Sequence, residues 1–210
     1  RSHEVGSVKF DISSINVNPV KNPPFILGAS THPGEEKKLL NAYLRLMSKI
    51  NLKLFICPRH IERADDIAKQ ATLMGLKTKL FSNKELNDFD VCIVDNVGLL
   101  PNFYASSLIS FVGGSLVPRG GHNLIEPAAL GSPIIIGPHT FNFEDIVQKF
   151  VNDDACIIVN SEDELFDAIE LLAQNSNIAN QYASRAKKVV EKNKGSTEVQ
   201  ASYIINQLGE

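Results

Sequence analysis

Two glycine pairs, Gly113-Gly114 and Gly120-Gly121, sit in the stretch FVGGSLVPRGGHNLIEPAAL. An apolar run, LISFV, ends just before the first pair, and a helix-forming segment, NLIEPAAL, begins just after the second. Glycines let backbone approach a ligand closely, and a helix start offers unpaired N–H groups with a partial positive charge. That combination suits an anion. Arg59 directly follows another apolar run, LKLFICP. Its guanidinium suits a phosphate, with a surface ion pair to Glu36 or Glu62 as the alternative. Glu126 falls in the first turn of the helix after the glycines. A carboxylate there can accept hydrogen bonds from ribose hydroxyls, or simply complement the helix dipole. In STHPGEE (30–36), Pro33 suits a first helical turn with Thr31 or His32 as the cap, against a ligand contact. His122 likewise either caps its helix or meets a ligand.

These residues need a frame, and the hydrophobic pattern supplies one. Strands are expected at 24–29, 53–57, 77–81, 90–94, 108–112 and 133–136, with 155–159 as a candidate seventh. Helices are expected at 35–50, 60–74 (stopped by Gly75), 99–106, 123–130 (ended by Gly131), 143–151, 161–174, 178–193 and 197–208. Ser161 and Glu164 have the spacing of a capping box. Continuous apolar strands alternating with helices argue for an α/β fold, a doubly wound parallel sheet of about six strands. Ligands of such sheets bind beyond the carboxyl ends of the strands. Four polar segments follow strand ends: STHPGEE (30–36), PRH (58–60), DNVGLL (95–100) and GGSLVPRGGHN (113–123). All four are expected to converge on one crevice.

The bulk composition excludes several classes. The 210 residues are 43% hydrophobic and 21% charged with a net charge of -3, an ordinary globular balance without a basic surface for nucleic acid. No apolar run reaches the ~20 residues of a membrane span, and no signal peptide is visible. The chain begins at Arg1 without Met and is read as a fragment. Residues 13–24, rich in Asn, Pro and Ser, read as linker, so residues 1–24 are expected to be a connection and 25–210 the domain. Three cysteines, Cys57, Cys92 and Cys156, lie in apolar runs and are read as core thiols. Asp88-Phe89-Asp90 has a metal-binding form but precedes a strand, at the wrong edge of the sheet. Dinucleotide, P-loop and hydrolase-elbow motifs are absent from the sequence, and its five histidines lack ligand spacing, so no metal is expected.

The long glycine-containing stretch, followed by GPHTFNF, resembles the signature of bacterial Kdo transferases, and ASTHPGEE, PRHIER and GSVKFD resemble further motifs of that family in the expected order. The resemblance spans about residues 5–146. It implies a GT-B glycosyltransferase, two Rossmann-like domains facing a cleft, of which this chain is similar to the C-terminal, donor-binding half. The expected activity of the intact enzyme is transfer of 3-deoxy-D-manno-octulosonic acid (Kdo) from CMP-Kdo to a lipid A precursor in lipopolysaccharide biosynthesis, with release of CMP and inversion at the anomeric carbon. The acceptor site, the carboxylate base and a membrane anchor would belong to the N-terminal half, at the cytoplasmic face of the inner membrane. This fragment alone is expected to be inactive. A UDP-sugar transferase and a non-catalytic nucleotide-binding module are the alternatives.

Carried over motif by motif, the resemblance implies that Pro58, Arg59, Val97, Gly98, Leu99, Asn123, Leu124, Ile125 and Glu126 hold CMP. Lys9 in GSVKFD would stabilise the transition state. Ser30, Thr31, Gly113, Gly114, Ser115, Arg119, Gly120, Gly121 and His122 would form the supporting loop. Many relatives have Gly-Glu-Leu where this chain has Gly98-Leu99-Leu100. A backbone contact tolerates that change, whereas a side-chain contact does not.

Overall fold

Along β1 (Phe25–Thr31), Ile26 packs into one apolar cluster while Phe25, Leu27 and Ala29 pack into another on the opposite face. A strand dry on both sides needs helices above and below, and that requirement shapes the whole chain. The computed structural model describes residues 10, 16–20, 24–83 and 87–194. Its elements alternate: α1 (Glu35–Met47), β2 (Lys53–Pro58), a 3-10 turn (Ile61–Arg63) running into α2 (Ala64–Leu73), β3 (Thr78–Leu80), β4 (Val91–Ile93), α3 (Leu100–Tyr104), β5 (Ile109–Val112), α4 (Ile125–Ala129), β6 (Ile134–Ile136), α5 (Glu144–Asn152), β7 (Ile157–Ile158), α6 (Glu162–Gln174) and α7 (Ser176–Asn193).

The strands form one parallel sheet in the order β3-β4-β2-β1-β5-β6-β7. The described residues form seven strands, the six expected and the candidate seventh at 155–159, which as β7 is only two residues long. Leu39, Leu40, Leu46, Ile67, Leu165 and Ile169 cover one face, which places α1, α2 and α6 there. Helices α4, α5 and α7 cover part of the other face, where Phe150 and Val189 meet Val112 and Ile136, and Phe103 of α3 packs with Phe25 and Phe55. Burying each such side chain contributes roughly 1.5–3 kcal/mol before entropy is counted. The order in which successive strands are added reverses between β1 and β5, so the crevice of a doubly wound sheet opens between their carboxyl ends.

Local signals explain most helix ends. Gly75, at φ 87°, stops α2, and Ser161 accepts the Glu164 N–H at the start of α6. The reciprocal half of that box is shifted by one residue, because Glu164 accepts from the backbone N–H of Asn160. The expected helix at 60–74 divides into the 3-10 turn and α2. Helix α4 spans five residues, shorter than the expected 123–130. The expected helix at 197–208, Lys9 and GSVKFD lie outside the described residues. The three thiols are free and buried, and burial pushes Cys92 and Cys156 up to about 12. The D-x-D carboxylates are engaged at the amino edge of β4. Asp88 binds Lys77 at 2.8 Å, and Asp90 accepts the Lys77 backbone N–H at 3.0 Å.

Candidate functional site

Helix α1 opens with two buried glutamates, and each secures a different loop. Glu35 is fully buried and accepts four backbone N–H groups: His32 at 2.9 Å, Gly114 at 2.7 Å, Ser115 at 3.0 Å and Leu116 at 2.9 Å. Burial raises its pKa above the usual carboxylate value, and the four hydrogen bonds pull it back down. Glu36 binds the Arg63 guanidinium through both oxygens, at 2.7 and 3.2 Å, which anchors the turn that follows β2. The loop after β1 and the glycine turn after β5 are thereby clamped together across the reversal point. They come so close that a Cβ on Gly113 would lie 2.7 Å from both Ser30 O and Thr31 Cα.

The glycine turn after β5 spends its N–H groups inside the protein. The N–H groups of residues 114–116 point at an anion, but that anion is the protein's own Glu35. Nor does the helix start after the second glycine pair offer a long dipole, since α4 is little more than one turn. The N-cap of this helix is Leu124, without a side-chain cap, and Asn123 Oδ1 just before it accepts the Ile125 N–H at 3.0 Å, so His122 does not cap it. At α1 the helix starts from Gly34, and the Glu35 N–H donates to the backbone carbonyl of His32. Neither the Thr31 nor the His32 side chain caps it, and Pro33 precedes the helix. Thr31 Oγ1 is buried with no hydrogen-bond partner.

A cleft of about 240 Å³ lies beside this clamp, over the ends of β2 and β4. Ser30, Pro58, Arg59, Asn96, Val97 and Gly98 line it. Arg59 is exposed, its backbone N–H is fixed to Thr31 O at 3.0 Å, and its guanidinium has no carboxylate partner among the described residues. Of its two sequence candidates, Glu36 is engaged by Arg63, and Glu62, which also lines the cleft, stands beside His60 at 3.6 Å. Gly98 has φ 80°, a conformation that disfavours a side chain, and the space where a Cβ would stand is open. Ser30 also has a positive φ of 50°, backbone strain of about 1–3 kcal/mol located at the cleft wall. Val97 is 79% exposed.

Asn123, Leu124, Ile125 and Glu126 are not among the residues that line this cleft. Burial raises the pKa of Tyr104, with smaller contributions from Glu126 and Cys57. Burial raises the Glu126 pKa, and this carboxylate has no hydrogen-bond or ion-pair partner among the described residues. Leu124 and Ile125 are core residues, so any contact they make with a ligand uses backbone. His122 sits against His32 with the Nε2 atoms 3.1 Å apart, and Arg59 is close enough to disfavour a proton on either ring.

Of the residues expected from sequence, Ser30, Pro58, Arg59, Val97 and Gly98 line the cleft directly. Leu99 is absent from the lining and packs against the core cluster around Phe103. Gly113, Gly114 and Ser115 form the clamp, and Gly120 and Gly121 brace the loop by accepting from Asn142 N and donating to Gly114 O. Sequence reasoning named His32, Glu36 and the segment that contains Asn96 without foreseeing the His32–His122 contact, and it did not foresee that Glu35 and Glu36 are buried anchors. Paired glutamates in the first turn of α1 look like ordinary dipole charges, and only their complete burial marks them as structural anchors.

No family model matches the chain. It is 38% identical to the 3-deoxy-D-manno-octulosonic acid transferase of Aquifex aeolicus over 163 residues, 77% of this chain and 45% of that protein. It is 33% identical to the Haemophilus influenzae protein of the same name, covering 90% of this chain and 48% of the relative. The chain thus spans about half the length of these curated relatives. Among solved structures it matches the C-terminal CMP-Kdo binding domain of WaaA from Acinetobacter baumannii with a TM-score of 0.76 and 33% identity, covering 81% of this chain and 90% of that domain. With most of that domain matched at this identity, the chain belongs to the family of the C-terminal domains of 3-deoxy-D-manno-octulosonic acid transferases.

Proposed function

We propose that this chain is the donor-binding half of a Kdo transferase and that the cleft beside Arg59 holds the CMP portion of CMP-Kdo. The observation that carries the reading is the unpartnered Arg59 guanidinium facing the open Gly98 turn, in a domain similar to one described as binding CMP-Kdo. Arg59 would take the phosphate, a task suited to a planar, permanently charged fork. Pro58, Val97 and Gly98 would border the nucleotide, with Leu99 contributing only through its backbone. Asn123 to Glu126 would hold the other side, with Glu126 accepting from the ribose hydroxyls. Its desolvated, unpaired carboxylate makes it a strong acceptor for a neutral donor.

The rest of the catalytic apparatus is proposed by the same route. Residues 25–210 would be the donor domain and 1–24 the connection to an N-terminal half. Lys9 would add a second positive charge to the phosphate as CMP departs. The acceptor, a lipid A precursor, would be held by the N-terminal half together with the base that activates its hydroxyl, at the cytoplasmic face of the inner membrane. Among the described residues, no helix is long and apolar enough to cross a membrane. Positioned cations around a departing phosphate can lower a barrier by several kcal/mol in a closed site.

A thermal-shift panel tests the reading. CMP is expected to raise the melting temperature more than UMP or UDP. Equal shifts, or a larger one with UDP, would favour a UDP-sugar donor and contradict this assignment. Kdo transfer by this chain alone would contradict the division of roles between the halves.

A further inference from the structure

His32 and His122 meet across the reversal point of the sheet, 90 residues apart in sequence. Their rings are stacked 9° from parallel with centroids 5.3 Å apart, and the ring of His60 stands edge-on to His32 at 6.0 Å. The contact is held from below by Glu35, which binds the His32 N–H and the Gly114–Leu116 turn at once. Burial disfavours a proton on either ring. His60, Arg119 and Arg59 add to that effect at His32, and only Glu36 opposes it. His32 and Arg59 add to it at His122, whose pKa is pushed down to about 4. Of the carboxylates around the cluster, Glu36 is committed to Arg63, Glu35 to backbone N–H groups, and the largely exposed Glu62 stands beside His60 at 3.6 Å. Arg59 and Arg119 have no ion-pair partner among the described residues. Burial disfavours an ion of either sign here, and it is the two guanidiniums without an ion pair that bias the surroundings toward an anion.

We propose that His32, His122 and Arg119 form a second anion subsite next to Arg59, one that takes the carboxylate of a sugar acid. The inference rests on the donor reading above, in which Arg59 faces the phosphate. A nucleotide-linked octulosonic acid carries two separate negative groups, and one guanidinium in the cleft answers only the first. In the neutral pair one Nε2–H donates to the other Nε2, which leaves one ring with Nδ1–H and the other with a bare Nδ1. Adding a proton from solvent at that bare nitrogen makes both Nδ1 atoms donors and gives the pair a positive charge. A carboxylate placed beside the rings favours this proton, so binding of the acid takes it up and strengthens as pH falls toward 6. A phosphate bound only at Arg59 would not require it.

The test is calorimetric titration of free 3-deoxy-D-manno-octulosonic acid and of its methyl ester into the CMP-saturated chain, at about pH 6 and about pH 7.5. The acid is expected to bind at least about tenfold more tightly than the ester, and more tightly at the lower pH. His122→Asn is expected to remove most of that preference while CMP affinity stays within about twofold. Arg119→Gln, at an exposed position where folding is not at stake, is expected to weaken the acid in the same direction. Equal binding of acid and ester, an unchanged preference in both variants, or loss of CMP affinity in step with the acid would overturn the subsite. If CMP fails to bind the unmodified chain, the nucleotide reading falls by itself, and the acid-versus-ester comparison without CMP still decides the subsite.

Discussion

The glycine turn after β5 and the cleft over β2 and β4 lie at the same end of one sheet, but they use their polar groups in opposite ways. In the turn, the N–H groups of Gly114, Ser115 and Leu116 all end on Glu35, and no room exists beside Gly113. In the cleft, Arg59 lacks an ion pair among the described residues, Gly98 faces open space and Ser30 is held in a strained conformation. A closed ring of hydrogen bonds is scaffold, because a ligand gains nothing from donors already satisfied. Groups that are held in place yet left unpartnered mark where a ligand supplies the missing contact. The glycine-rich sequence that most resembles an anion site is thus satisfied from within the protein, and we propose the plainer Pro58-Arg59 and Gly98 segments as the receiving surface.

Substitutions at the two regions should therefore fail in different ways. Glu35→Gln sets an amide NH2 among four backbone donors, and we expect a stability loss of about 3 kcal/mol, read as a lower urea midpoint. A loss below about 0.5 kcal/mol would mean the clamp is not structural. Gly113→Ala should cost about 2–3 kcal/mol, because its Cβ meets backbone atoms that cannot rotate away. Gly98→Ala should cost only about 1 kcal/mol for its positive φ, yet weaken CMP binding, since the new methyl enters the cleft. If Gly113→Ala spared stability and Gly98→Ala spared CMP binding, the contrast between the regions would be broken.

The smallest effect expected is on pH dependence. The folded His122 pKa of about 4 lies below the ordinary 6.5, so the unfolded chain binds a proton more readily between those values. Stability contributed by the neutral ring is complete above about pH 6.5 and is lost as pH falls toward about 4. Part of the ring is solvent-screened, so a loss of about 1 kcal/mol is expected over that range. His122→Asn should flatten this part of the stability profile measured by denaturant titration. An identical slope in the variant would place the proton elsewhere.

The fold was legible because its carriers are regular. Apolar strands such as LKLFIC and LISFV have a fixed place in a parallel sheet, and the strand-end rule points to Arg59 and Gly98 without any coordinates. What stayed hidden depends on pairings between distant residues. Nothing in the periodicity distinguishes Glu35, which satisfies a turn 80 residues away, from Glu62, which is largely exposed. The His32–His122 contact is invisible for the same reason. Short elements were misjudged because one or two turns leave little pattern: β7 has two residues, and α4 ends within five.

The central claim is that Arg59 and the Gly98 turn, and not the glycine pairs, receive the nucleotide phosphate. Calorimetric titration of CMP into the chain and into Arg59→Ala tests it most directly. The account predicts that the substitution weakens CMP at least about tenfold while the urea midpoint stays within about 0.5 kcal/mol of the original stability, as expected for an exposed side chain without a partner. Undiminished CMP affinity in Arg59→Ala would contradict it.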